Sequence, residues 1–192
     1  MSRVNHALNE VEKEKVKKAV AMLPPLHQQI LREHLQSISF MDSMPNNALT
    51  SLIGDESKKL FNITFRAGIL DETISEWATK KEYTSFNVAD DMSLRIVVEA
   101  GNLDAIQYVF LHEATHVVDA VLNLTPHIND SGVVTTSSSF THGIWLSQRQ
   151  PVAKFTDSFL DKARMRNRSV PIASAPMLYE SLKKTPFSSL YS

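Results

Sequence analysis

Residues 108–119 read Tyr-Val-Phe-Leu-His-Glu-Ala-Thr-His-Val-Val-Asp, an apolar run that two histidines and a glutamate interrupt. Apolar residues recur at helical spacing on both sides of this run and predict one long, largely buried helix over residues 102–122. Residues four apart stand on the same face of a helix, so His112 and His116 are expected to direct their rings at the same point. Polar side chains on so apolar a helix require partners. The pattern therefore indicates either a functional site or polar groups that are satisfied in the core or along a groove.

His112, Glu113 and His116 have the residue types and the spacing of a hydrolytic zinc site. Imidazole nitrogens are common zinc ligands, so the two histidines are predicted to bind Zn²⁺. Glu113 lies about 100° around the helix, where it misses the metal but reaches a zinc-bound water, and it is predicted to be the general base. Asp119 lies on the same face, one turn after His116. It is predicted to support the outer ring nitrogen of His116; the alternative is a solvated residue near the helix end.

The composition is that of an ordinary globular protein and excludes several classes. The 192 residues are 43% hydrophobic with a formal net charge of −1, and no aromatic residues interleave the basic ones, so no nucleic-acid partner is predicted. The chain has no cysteine, so zinc could be held only by nitrogen and oxygen. No stretch has membrane-spanning length, and the N-terminus has no apolar signal core. A soluble protein is predicted, either cytoplasmic or exported with its leader absent from this chain; the sequence does not predict the oligomeric state.

Hydrophobic periodicity predicts a mainly helical α+β fold with a small mixed β-sheet beside the helix of residues 102–122. Amphipathic or capped segments predict further helices over residues 4–23, 26–38, 71–77 and 177–184. Two segments predict strands, over residues 61–66 and 94–99. No internal repeat or convincing linker divides the chain, so residues 1–192 are predicted to form a single domain.

The run from Tyr108 to Asp119 resembles the active helix of the zincin metallopeptidases, and among them the gluzincins. The likeness covers mainly this helix and the strand predicted before it, with a weaker overall likeness to uncharacterised bacterial metalloproteases. It implies zinc-dependent hydrolysis of peptide bonds in a peptide or protein substrate. It also implies that a strand before the helix pairs with the extended substrate. The metzincin pattern is disfavoured, because it has glycine where Asp119 stands and histidine or aspartate where Leu122 stands.

The resemblance implies that the third zinc ligand is a glutamate on a later helix. The sequence identifies this ligand least clearly. The downstream carboxylates are Asp130, Asp157, Asp161 and Glu180. Glu180 is the candidate third ligand because it lies on a predicted amphipathic helix, and its alternative interpretation is a surface helix residue. A helix-start signal at Thr185-Pro186 comes shortly before the last residue, Ser192. The chain is therefore also interpreted as a truncated zincin-like domain that lacks a C-terminal helical part.

Two functions remain open from the sequence. The first is a zinc-dependent peptide hydrolase in which Glu113 acts on zinc-bound water. His142, Tyr179 and Arg149 are unranked candidates for stabilising the oxyanion. The alternative is a non-catalytic zincin-like module that binds a peptide or protein and has a weak or incomplete metal site. The missing third ligand favours this alternative, because two imidazoles leave half of the coordination sphere to water.

Overall fold

The computed structural model of the chain describes residues 4–54, 58–87, 93–125, 142–144, 152–155 and 170–184. The chain divides into two compact units. The first unit contains Met1–Trp77 and Ala100–Leu124, and the second contains Ala78–Glu99 and Thr125–Ser192. That residues 1–192 act as a single domain stays a prediction.

Helices pack on a four-stranded sheet in the first unit. The strands are β1 (Val4–Asn5), β2 (Leu35–Asp42), β3 (Ala48–Ile53) and β4 (Leu60–Arg66). The helices are α1 (Glu10–Ala21), α2 (Pro25–His34) and α4 (Ala105–Leu122), while α3 (Ile74–Tyr83) runs on into the second unit. The strand order is β1-β2-β4-β3; β2 and β4 are parallel, and both outer pairs are antiparallel. The predicted mainly helical α+β fold with a mixed sheet is confirmed.

Strand β4 forms the centre of the first core and matches the predicted strand. Its residues alternate between buried and half-buried, because successive side chains of a strand point to opposite faces. Phe65 stacks on Phe40 of β2 with ring centroids 5.4 Å apart, and Phe110 of α4 meets Phe65 edge-on at 5.5 Å. Offset and edge-on aromatic pairs are favourable geometries, so these three rings fix α4 against the sheet.

The prediction of a helix over residues 4–23 is wrong at its start. Val4 and Asn5 form β1 instead, and α1 begins at Glu10. The cause is a capping box, in which Glu12 N donates to Asn9 Oδ1 at 3.0 Å and Asn9 N donates to Glu12 Oε2 at 2.8 Å. The Asn-x-x-Glu spacing is a local signal for a helix start. The prediction followed the apolar pattern instead and placed the start too early.

The prediction of a helix over residues 26–38 is wrong at its end, because α2 stops at His34 and β2 starts at Leu35. Leu35 and Ile38 both pack against the core at a helix-like spacing of three. A β-bulge produces that spacing. Leu35 pairs with Phe61 and Ser37 with the next residue of β4, so one residue of β2 is extra.

Residues 94–99 do not join the sheet, and the prediction of a strand there is wrong. The main-chain N–H groups of alternate residues donate to hydroxyl groups of α3 instead of to another strand. The bonds are Ile96 N to Tyr83 Oη, Val98 N to Thr79 Oγ1 and Ala100 N to Ser75 Oγ, each 2.9 Å long. Helix α3 was also predicted as residues 71–77, with Asp71 as its cap. Thr73 caps it instead through reciprocal bonds with Glu76, and the helix continues to Tyr83.

The second unit has a core of its own, built around α5 (Ala175–Leu182), which accounts for the helix predicted over residues 177–184. Its buried apolar residues are Phe86, Ile96, Val170, Ile172, Ala175, Leu178 and Leu182. Among the helices of the described ranges, none combines the length and apolarity needed to cross a bilayer.

Candidate metal centre on helix α4

Lysines from other parts of the first unit contact both ends of helix α4. The helix begins after Asp104, later than predicted, and Lys15 Nζ lies 3.1 Å from an Asp104 carboxylate oxygen. At the other end Asn123 adopts a left-handed conformation with φ of 52°, and Lys59 Nζ donates to Ala120 O at 2.6 Å. A cation at a helix C-terminus satisfies carbonyls that have no helical partner. The helix that carries the candidate ligands is therefore held at its two ends.

His112 and His116 lie on one exposed face of α4, as predicted. Their Nε2 atoms are 3.2 Å apart, and their rings are nearly perpendicular, with centroids 4.8 Å apart. Two nitrogens that each lie about 2.05 Å from a zinc ion in tetrahedral geometry are about 3.3 Å apart. The observed separation therefore fits two ligands of one tetrahedral ion.

The surroundings of His112 lower its pKa below that of a free imidazole. Partial burial of its ring lowers the pKa of His112, neighbouring His116 lowers it further, and Glu113 opposes both effects. Metal binding requires the unprotonated imidazole, so a lowered pKa extends the pH range over which His112 can act as a ligand.

Glu113 points to a different side of α4 and is buried, with 7% of its surface exposed. Its Oε2 accepts a hydrogen bond of 2.6 Å from Thr50 Oγ1, and the same hydroxyl lies 3.3 Å from Glu113 O. Thr50 is in β3, the end strand of the sheet. One side chain of the sheet thus fixes the carboxylate predicted to be the general base. Thr50 was not among the predicted site residues, and its local signal is a weak strand pattern over residues 48–53.

A third histidine contacts the exposed part of α4. His27 Nε2 lies 3.0 Å from Thr115 Oγ1, and that hydroxyl donates its proton to Leu111 O at 2.7 Å. A hydroxyl has one proton, so His27 Nε2 must be the donor. Its Nδ1 is then unprotonated, and it is buried without a partner among the described residues. Burial also lowers the pKa of His27. His27 was not among the predicted site residues, and nothing in its local pattern distinguishes it.

Asp119 and Glu180 are the two acidic residues predicted to support the site. Asp119 is half-buried on the histidine face, and its carbonyl accepts the N–H groups of Asn123 and Leu124 that end the helix. Glu180 lies on α5 in the second unit, is exposed, and has Lys183 Nζ at 2.5 Å. That lysine lowers the pKa of Glu180. Among the described residues, no group of three or more histidine, aspartate and glutamate side chains is arranged to hold a metal ion.

The three oxyanion candidates have different surroundings. Tyr179 donates a 2.8 Å hydrogen bond to Glu82, which is buried in the second unit. Burial, and then this hydrogen bond, raise the pKa of Tyr179. His142 is exposed in a short turn of residues 142–144, and Arg149 lies outside the described residues. Their catalytic role stays a prediction.

Comparison with known proteins adds no relative. No protein-family model, no curated protein and no solved structure matches the chain. The functional argument therefore rests on the residues of α4 and on their geometry.

Proposed function

We propose that the chain is a zinc-dependent hydrolase of peptide bonds, with His112 and His116 as zinc ligands and Glu113 as the general base. The observation that carries the proposal is the 3.2 Å separation of the two Nε2 atoms on an exposed helix face. It is the separation expected of two nitrogens on one tetrahedral zinc ion. The same separation also allows one neutral imidazole to donate a hydrogen bond to the other.

The residues of the chain supply proton transfer and positioning. When bound, zinc would polarise the scissile carbonyl and make an attacking water more acidic. Glu113 accepts the proton of that water and passes it to the leaving amine. Thr50 holds Oε2 of Glu113, and Oε1 has no hydrogen-bond partner among the described residues, which leaves Oε1 to take the proton.

The end strand β3 is the proposed docking strand for the substrate. Within the described sheet β3 pairs only with β4, and its other edge is open. An extended peptide can add to such an edge through main-chain hydrogen bonds. Leu49 and Leu52 of β3 are exposed and provide apolar contacts for substrate side chains. This role was assigned by resemblance to residues 94–99, but β3 is the strand that contacts Glu113.

Whether the chain supplies a third zinc ligand decides between the hydrolase and the non-catalytic peptide-binding module. Glu180 remains the candidate from the sequence, but Lys183 competes for its carboxylate. Among the described residues no group of three ligating side chains forms, which favours the second proposal, a non-catalytic module that binds a peptide along β3 and holds zinc weakly through two imidazoles. The two proposals share the histidine pair and differ in whether Glu113 turns over a substrate.

Zinc titration of the metal-free chain tests the shared part. We expect one zinc per chain in a competition assay, with at least a tenfold weaker affinity in His112→Ala and His116→Ala. His6→Gln is the matched control, because the His6 ring bonds to Glu12 and Asp42 and to neither histidine of α4. Equal affinity in all four proteins would refute the metal site.

A peptide library analysed by mass spectrometry tests the chemistry. Cleavage that requires zinc and disappears in His112→Ala supports the hydrolase. Zinc binding and peptide binding without cleavage support the non-catalytic module.

A further inference from the structure

Residues 94–99 run along α3, and within the described ranges their backbone is bonded on one edge only. Ile96 N and Val98 N donate to hydroxyls of Tyr83 and Thr79, which lie four residues apart on α3. Four helical residues rise about 6.0 Å, and two extended residues span about 6.6 Å. The two repeats match, so the segment runs extended along the helix and opposite to it in direction.

On the other edge of the segment, no backbone partner lies within the described ranges of the chain. Side-chain burial alternates along it: Ile96 is buried, while Arg95, Val97 and Glu99 are exposed. Val97 is 69% exposed, the highest value among the large apolar residues of the described chain. In an extended chain the N–H and C=O groups of alternate residues point to opposite edges, so those of residues 95, 97 and 99 point away from α3. Among the described residues, none bonds to them.

We propose that this open edge pairs with the same segment of a second copy of the chain, antiparallel and about a two-fold axis at Val97. In that register Arg95 lies opposite Glu99 of the partner subunit, and Val97 lies opposite its own copy. The two cross-strand ion pairs and the apolar contact all lie on the exposed side. Residues 95, 97 and 99 each exchange two main-chain hydrogen bonds with the residue opposite in the partner subunit, because they form the hydrogen-bonded pairs of an antiparallel ladder.

Charge favours this register over a parallel pairing. A parallel pairing in register places Arg95 against its own copy and Glu99 against its own copy, and like charges directly opposite each other are destabilising. A register shifted by one residue would require the N–H of Ile96 to face the partner. That N–H is already bonded to Tyr83 Oη, so this register is unfavourable. A second copy is therefore the occupant whose charges the segment matches, residue for residue.

The size of the contact sets the expected strength. A pairing of five residues buries less than the roughly 1,200 Å² of a standard stable interface. The dimer is thus reversible: it is populated at about 1 mM protein and dissociates on dilution to about 1 µM. Each strand is already held by α3, so association does not have to order it.

Sedimentation velocity over that concentration range, in buffer with a metal chelator, tests the pairing independently of the zinc site. The wild-type chain is expected to shift from monomer to dimer. Arg95→Glu places two carboxylates opposite each other on both sides of the axis and should weaken the dimer at least tenfold. Glu99→Arg should do the same, and the double variant R95E/E99R restores the complementary pairs and should restore the dimer.

The double variant is the matched control, since it contains both substitutions and differs from each single variant only in complementarity. Val97→Lys adds a second check, because it places two ammonium groups at the axis while leaving the buried face of the segment unchanged. A wild-type chain that stays monomeric at 1 mM (roughly the upper limit of the assay) overturns the proposal. A dimer that neither R95E nor V97K weakens also overturns it. The same holds if R95E leaves self-association unchanged and instead abolishes the binding of a library peptide.

Discussion

The two units hold their candidate carboxylates in opposite ways. In the first unit Glu113 is buried and receives a hydrogen bond from Thr50 of the sheet, a residue 63 positions away in the chain. In the second unit Glu180 is exposed, and its partner is Lys183, three residues along the same helix. The first arrangement depends on the tertiary fold, whereas the second can form in any isolated helix.

This difference separates a positioned group from a solvated one. A buried carboxylate held by one hydroxyl has a defined orientation, which proton transfer to a substrate requires. An exposed i,i+3 ion pair contributes little energy and leaves the carboxylate free to rotate in solvent. The geometry therefore favours Glu113 as the residue with a chemical task and Glu180 as a surface residue that zinc could recruit only by displacing Lys183.

The largest expected effect is in Glu113→Gln. The amide keeps the shape and can still accept from Thr50, but it cannot take a proton from water. Hydrolysis should fall by about 10²- to 10⁴-fold, the usual contribution of a general base. Zinc affinity should remain within twofold of wild type, as measured by the competition assay, since Glu113 is not a ligand. Unchanged turnover would remove Glu113 from the mechanism.

A smaller loss is expected in Thr50→Val, which keeps the β-branched shape and removes the hydroxyl. A hydrogen bond to a charged group contributes about 1.5 kcal/mol or more, which corresponds to about a tenfold decrease in kcat. KM and zinc affinity should change little, and Thr50→Ser should recover most of kcat. Equal losses in the valine and serine variants would indicate that Thr50 acts through strand packing and not through its hydroxyl.

Thr50 also shows where sequence reasoning stops. The helix and its histidine face are predictable, because residues 105–122 carry a local period and an i,i+4 pair that need no tertiary information. Strand β4 is predictable for the same reason. The contact between Thr50 and Glu113 arises only from the sheet order β1-β2-β4-β3, which places β3 at the edge beside α4. No local pattern contains that order.

Two errors have the opposite cause, a local pattern that the tertiary structure overrides. The bulge in β2 gives Leu35 and Ile38 a spacing of three, which imitates a helix. Residues 94–99 alternate like a strand and are extended, yet hydroxyl groups of α3 replace a neighbouring strand as acceptors. In both places the periodicity of burial is real, and only the identity of the hydrogen-bond partner was unknowable from the sequence.

A weaker, pH-dependent effect is expected at the N-terminus of the first unit. His6 contacts Glu12 through Nε2 and Asp42 through Nδ1, each at 3.1 Å. The hydrogen bond to Glu12, with contributions from Asp42, raises the pKa of His6 above 6.5. The folded state therefore binds this proton more tightly than the unfolded state. The resulting stability is complete below about pH 6.5 and is lost as the pH rises through the raised pKa.

Urea unfolding of the wild-type chain and His6→Gln, across about pH 5 to 9, measures this contribution. The midpoint of the wild-type chain should decrease more steeply above neutral pH than that of the variant. Asp42→Asn is the control and should remove part of the difference, because one of the two carboxylates that raise the pKa of His6 remains. Parallel profiles for the wild type and His6→Gln would show that the cluster does not couple to folding.

The smallest effect is expected in Glu180→Ala, and it tests the comparison of the two carboxylates most directly. If two imidazoles alone hold the ion, zinc binding is weak and the variant changes the affinity by less than about twofold, because Glu180 is then not a ligand. Lys183→Ala frees that carboxylate and is the matched variant. It should strengthen zinc binding only if Glu180 can reach the ion. Tight one-to-one binding by the wild-type chain that is lost in Glu180→Ala would make Glu180 the third ligand, and the surface ion pair would then be a resting state that the metal displaces.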